Sequence, residues 1–218
     1  MNYLKSELLK WKNSYACYLI LVLSVLQLAT ILPYVLLVNN PTILENLVFI
    51  YMLGYCIVMS VMSILLHEQE MDANHFQNIR SEKCRLTIWT MKLVAADLVV
   101  MVPTFLLWLA VGVEVNNISR FAYAGLIICL LLVMLNHFHM FLSLFMGKGG
   151  NLLISFVECL FVIFATNKAF LNVLWMSIAL PVNLIFEFEL PSFIALLGYV
   201  ILFYLGNLVM VSRMKHLK

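Results

Sequence analysis

Polar positions are rare along this chain, and where they fall divides it. Long apolar runs cover about 16–38, 45–66, 88–112 and 121–146. A shorter one at 152–166, a further apolar piece at 169–185 and a last run at 193–211 follow. A helix rising about 1.5 Å per residue needs roughly twenty apolar residues to cross a hydrocarbon core of about 30 Å, and each long run supplies them. The pattern predicts an all-α integral membrane protein, with 1–218 read as one transmembrane unit.

The breaks between runs are short. Asn39-Asn40-Pro41 makes a turn, Glu114, Asn116 and Asn117 make another, and Gly147 to Asn151 reads as a flexible one. Pro33 and Pro103 fall inside runs, and Pro33 is expected to kink the first. Ahead of the first run, residues 1–13 place Leu4, Leu8, Trp11 and Tyr15 at helical spacing, with Lys5, Lys10 and Lys12 largely off that stripe. An amphipathic helix in the headgroup layer fits this spacing, and so does a plain positive flank.

The region from 152 onwards is irregular. The 152–166 run is short for a crossing, and Asn167 and Lys168 separate it from 169–185. Either one crossing is followed by an outer re-entrant or interfacial element spanning 167–192, or two crossings are present. Charge decides between them. With six crossings and both termini inside, eleven of the thirteen Lys and Arg face inwards, and only Arg120 and Lys168 face out. Seven crossings would turn the basic tail outwards, against the positive-inside bias. Six spans are therefore expected, in a multi-pass membrane protein with both termini inside.

Composition sharpens the class. At 64% hydrophobic and 11% charged residues, the chain lies far from soluble averages. A net charge of +2 gives no reason to expect nucleic acid as a partner. The five cysteines include no Cys-x-x-Cys, so neither a disulfide framework nor a thiolate metal site is expected. The polar start and long first run also lack the form of a cleavable signal.

One long polar interval remains, 67–92, reading HEQEMDANHFQNIRSEKCRLTIWTMK. It concentrates Glu68, Glu70, Asp72 and Glu82 with Arg80, Lys83, Arg85 and Lys92. Residues 67–87 read as an inner loop whose Met71, Phe76 and Ile79 form an apolar edge for a cytosolic partner. A topology anchor would need Lys and Arg but neither the acid cluster nor Phe76.

Two acids lie inside apolar runs, Asp97 and Glu158. An unpaired charge at mid-bilayer costs about 3 kcal/mol or more, so each must find a partner, a proton or water. A buried hydrogen bond to Asn136, His137 or another subunit is the structural reading of Glu158. The functional readings are contact with a cationic cargo, a proton site or an interhelical pair. His137 and His139 stand two apart on a helix and point to different sides, which argues against a shared metal. The Gly147–Gly150 turn lacks the Gly-x4-Gly-Lys-Ser/Thr frame of a phosphate loop. No cofactor is expected in this chain, and no enzymatic activity.

The order of acid cluster, Phe76-Gln77-Asn78, basic cluster and Lys92 resembles the first cytoplasmic loop of ABC-2-type ABC transporter permeases. It is similar in particular to the small permease subunits of lantibiotic-protection (immunity) exporters. The resemblance is specific over about 68–92 and extends loosely through topology. It implies a coupling helix between spans two and three, with Glu68, Glu70, Asp72, Phe76, Gln77, Asn78, Ile79 and Lys92 at the contact with a nucleotide-binding subunit. It also implies short outer helices between spans five and six. The implied partners are an ATPase subunit dimer holding ATP and Mg, a second permease (in a heterodimer or a homodimer), membrane lipid and a peptide substrate. The implied activity is expulsion of a cationic amphipathic peptide from the membrane. The rival readings are a non-transporting scaffold or sensor that docks a cytosolic partner, and an ion-coupled secondary transporter.

Overall fold

A computed structural model describes residues 3–37, 43–77, 79, 84–165 and 173–214. Among them the regular elements are eight helices: α1 Tyr3–Trp11, α2 Tyr15–Leu37, α3 Ile43–Asn74, α4 Arg85–Glu114, α5 Ile118–Phe145, α6 Gly147–Ala165, α7 Leu180–Phe186 and α8 Leu190–Arg213. Six of these, all but α1 and α7, are long and apolar enough to cross a membrane. The six expected runs are all present as helices. An all-helical architecture follows from the medium: only a helix satisfies every backbone group within its own segment.

α5 is the axial element. Its buried side chains lie on every side, among them Ile128, Leu132, Asn136, His139 and Met140. α3, α4, α6 and α8 pack around it. α2 and α8 turn apolar rows outwards, including Leu21, Val25, Ile201 and Leu205. Exposed leucines of this kind suit a lipid surround and would be costly in water. Against α5, α4 comes close because Gly125 has no side chain. A Cβ there would stand 3.0 Å from that of Trp108.

The helix ends sort to two sides. Lys10 bonds Glu70, Lys148 pairs with Glu68, and Arg85 donates to the carbonyls of Ser212 and Met214. The starts of α4 and α6 therefore share a face with α1 and with the ends of α3 and α8. At the other face Tyr123 donates to the Leu184 carbonyl, and Tyr199 to those of Leu174 and Trp175.

Several boundaries differ from the sequence reading. α3 runs on to Asn74, so Glu68, Glu70 and Asp72 stand on a helix and not in a loop. Likewise α4 begins at Arg85 and puts Lys92 two turns inside it. The glycine-rich stretch is no flexible turn either. α5 and α6 are joined at Met146 and Gly147, whose φ of 72° is left-handed, and residues from Gly147 onwards are already helical. Glycine takes that backbone without a Cβ penalty, which is what lets the chain reverse there.

Helix continues through Pro33, and 173–186 folds as turns plus the seven-residue α7. Met176, Ile178, Leu180 and Leu184 there are buried against the bundle. Asn167 and Lys168 lie outside the described residues. The expected stripe on α1 is only partly the packed one. Leu4 and Trp11 pack, Leu8 and Tyr15 are exposed, and Glu7 is buried instead. The physical reason is a charged cluster beneath α1.

Candidate functional site

The end of α3 carries the densest set of charged contacts among the described residues. Glu70 and Lys92 are 4% and 2% exposed, and their Oε1 and Nζ stand 2.7 Å apart. The same Glu70 oxygen accepts from Lys10 Nζ at 2.9 Å, and Lys10 is also 2.7 Å from Glu7 Oε1. Two acids and two amines make a neutral group joining α1, α3 and α4. Gln69 adds a bond from its Nε2 to the Lys10 carbonyl at 3.0 Å, satisfying the C-terminal end of α1. Sequence reasoning found Glu70 and Lys92. It missed Glu7 and Lys10, for which the i, i+3 spacing of opposite charges was the available signal.

Burial alone would lower the Lys10 ammonium, but hydrogen bonds and charge from Glu7 and Glu70 outweigh it and hold it above the ordinary lysine value. A raised folded-state value contributes stability that is complete below the ordinary lysine range. That stability is lost only as pH climbs past the raised value. The clamp on α1 thus stays charged across neutral pH.

Beyond the cluster the chain leaves α3 through two left-handed residues, His75 (φ 48°) and Phe76 (φ 61°). For non-glycine residues this costs about 1–2 kcal/mol each. The reversal turns Phe76 inwards, with its ring 5.0 Å from His67 and 6.4 Å from Trp89. Burying such a ring returns about 1.5–3 kcal/mol, which offsets much of the strain. The expected apolar edge is corrected here: Phe76 and Ile79 are 3% and 1% exposed, so neither presents itself to a partner. Met71, Asp72, His75 and Gln77 form the outward surface in their place. Asn78 lies outside the described residues. Glu68, half exposed, is held by Lys148.

No family model, curated protein or solved structure matches this chain.

The two intramembrane acids are each provided for. Asp97 accepts from Asn136 Nδ2 at 2.7 Å and faces His137 Nε2 at 3.0 Å. Glu158 does not use Asn136 or His137, the partners expected for it; its Oε2 stands 3.0 Å from His139 Nε2. The two histidines do point to different sides, and each meets its own acid. The His139–Glu158 approach is close but off-angle, and neither atom completes a hydrogen bond.

Asn151 fixes the proton arrangement. Its Nδ2 donates to Ser63 Oγ at 2.8 Å, Ser143 Oγ at 2.7 Å and the His139 carbonyl at 3.2 Å. A carbonyl only accepts, so Nδ2 must face it, and Oδ1 is left to accept from His139 Nδ1 at 2.6 Å. With Nδ1 bonded to Asn151, Nε2 is the ring nitrogen that faces Glu158. Asn151 was hidden from sequence reasoning because the glycines before it read as a loop. Among the described residues no group of three His, Cys, Asp or Glu is arranged to hold a metal.

Proposed function

We propose that this chain is the permease subunit of an ATP-driven exporter, working with a nucleotide-binding subunit dimer that carries ATP and Mg and with a second permease. Its cargo would be a lantibiotic or similar cationic amphipathic peptide, removed from the membrane for self-protection. The observation that carries this reading is the Glu70 clamp. Glu70, near the end of α3, is tied by Lys92 to α4 and by Lys10 to α1, so a force applied at that end of α3 reaches three helices together. A loop that only anchored topology would need no buried ion pair. The sequence order across 68–92, with its likeness to a coupling helix, adds support.

The docking surface is then Met71, Asp72, His75 and Gln77. A tagged chain purified from native membranes in mild detergent should bring an ATP-hydrolysing subunit with it. Asp72→Lys combined with Met71→Glu should reduce that recovery about tenfold or more, with expression and insertion unchanged, since central interface contacts are worth about 2 kcal/mol or more. Survival on lantibiotic should fall in parallel. Full recovery and full resistance in the double variant would return the loop to a topology role and favour a scaffold.

Both termini inside is the matching orientation. On a cysteine-free background, single cysteines at Asn116 and Glu187, both exposed, should react with an impermeant thiol reagent in whole cells. One at Lys148, exposed at the opposite face, should stay unlabelled until the membrane is opened. Labelling at Lys148 in intact cells overturns the orientation.

A further inference from the structure

A cavity of about 170 Å³ lies between α5, α6 and the turns before α7, lined by Phe138, Glu158, Phe161, Trp175 and Met176 among others. Phe161 and Trp175 meet edge to face with centroids 6.3 Å apart. Tyr199 holds the backbone at this wall through the Trp175 carbonyl, at 3.1 Å. Trp175 is 67% exposed and stands at the mouth, while Glu158 is 7% exposed at the wall. Its Oε2 is turned to His139 and completes no hydrogen bond there. A carboxylate on an aromatic-lined cavity wall, left incompletely bonded by its neighbour, asks for a donor.

We propose that this cavity binds the ammonium end of an amphiphilic cation, with the charge on Glu158 and the adjoining methylenes against Phe161 and Trp175. Two features select that chemistry. Aromatic faces attract a cation and offer nothing to an anion. A hard metal ion would need several oxygen ligands, and this wall supplies one carboxylate.

Size narrows it further. The cavity exceeds the roughly 30 Å³ share of one water several-fold, yet it admits only a group of side-chain size. An aminoalkyl group such as a lysine side chain fits, and a whole peptide does not. The inference deepens the proposed function, resting on that reading for the identity of the natural cargo. It names the part of a cationic peptide that this chain itself would hold.

The test uses the purified full chain in phosphatidylcholine nanodiscs, titrated with 6-bromohexylammonium, whose bromine quenches tryptophan on contact. 6-Bromohexan-1-ol is the neutral control. Trp11, Trp89 and Trp108 are buried, so Trp175 is the tryptophan within reach. Saturable quenching by the ammonium and not by the alcohol is expected, and Trp175→Phe should abolish it. Glu158→Gln should weaken it at least tenfold. Phe161→Leu, a mild change outside the His139 contact, should weaken it about threefold and keeps the test open if the first variant fails to fold.

Equal quenching by ammonium and alcohol would overturn the proposal, as would unchanged affinity in folded Glu158→Gln and Phe161→Leu. The cavity would then be merely wet or lipid-filled. Saturable ammonium binding in a chain that recovers no ATPase subunit and confers no resistance would keep the site and remove the exporter reading. Recovery and resistance without ammonium binding would do the reverse.

Discussion

Replacing Glu70 by Leu is expected to destabilise the protein by about 3–5 kcal/mol, the range seen when one member of a buried ion pair is removed. The damage comes from what is left behind. Lys92 is 2% exposed, and Glu70 is the acid its ammonium touches, while Lys10 would still have Glu7. An ammonium stranded there must lose its proton or drag water into the packing of α3 on α4. Changing Lys92 to Met as well should restore most of the loss, because two apolar side chains replace two charges whose desolvation they no longer have to offset. The double variant still lacks the bond from Lys10 to α3, so α1 should remain loosened. Unfolding in detergent micelles followed by circular dichroism reads the first effect. Thiol labelling of a cysteine placed at Leu4, which packs on the core outside the ion cluster, reads the second. If Glu70→Leu is neutral by itself, the cluster is a surface ornament and the clamp argument falls with it.

Asn151→Leu should cost about 1–3 kcal/mol, the penalty for leaving a buried polar group without its partner. Leu is branched like Asn but bulkier and offers no polar atom, so His139 Nδ1 loses its acceptor in a setting that excludes water. Ser63 and Ser143 suffer less, since they lie 3.1 Å from each other and Ser63 also donates to the Ser60 carbonyl. The diagnostic result is spectroscopic. With ¹⁵N-labelled histidine, the native chain should show His139 protonated at Nδ1. The variant should lose that preference, because Nε2 beside Glu158 then becomes the better-partnered nitrogen. A native chain with His139 protonated at Nε2 alone would contradict the arrangement derived from the Asn151 bonds.

How much was legible beforehand depended on the range of the physics. The six apolar runs, their lengths and the polar interval at 67–92 were readable because membrane insertion is a local property: each segment must satisfy its own backbone and match the bilayer thickness. Asp97 and Glu158 stood out for the same reason, as charges where charge is expensive. The clustering of Glu70 and Lys92 in a candidate site was readable as well, through likeness of order alone.

What the chain's order did not determine was which polar residues meet. The pairing of Glu70 with Lys10 spans sixty residues, and that of Asn151 with Ser63 eighty-eight. Neither separation has a periodicity to betray it. Helix extent at the membrane edge was equally hidden. Hydropathy falls at His67, yet intrahelical hydrogen bonding continues to Asn74, because polar residues there can remain helical once they have partners. Phe76 shows the limit most directly. An apolar residue in a polar stretch reads as a surface contact, and only the left-handed turn at His75 and Phe76 folds it back onto Trp89. Local chemistry set the spans. Packing across them decided which acids were neutralised, which way Phe76 faced, and that Glu158 would stand beside an aromatic cavity.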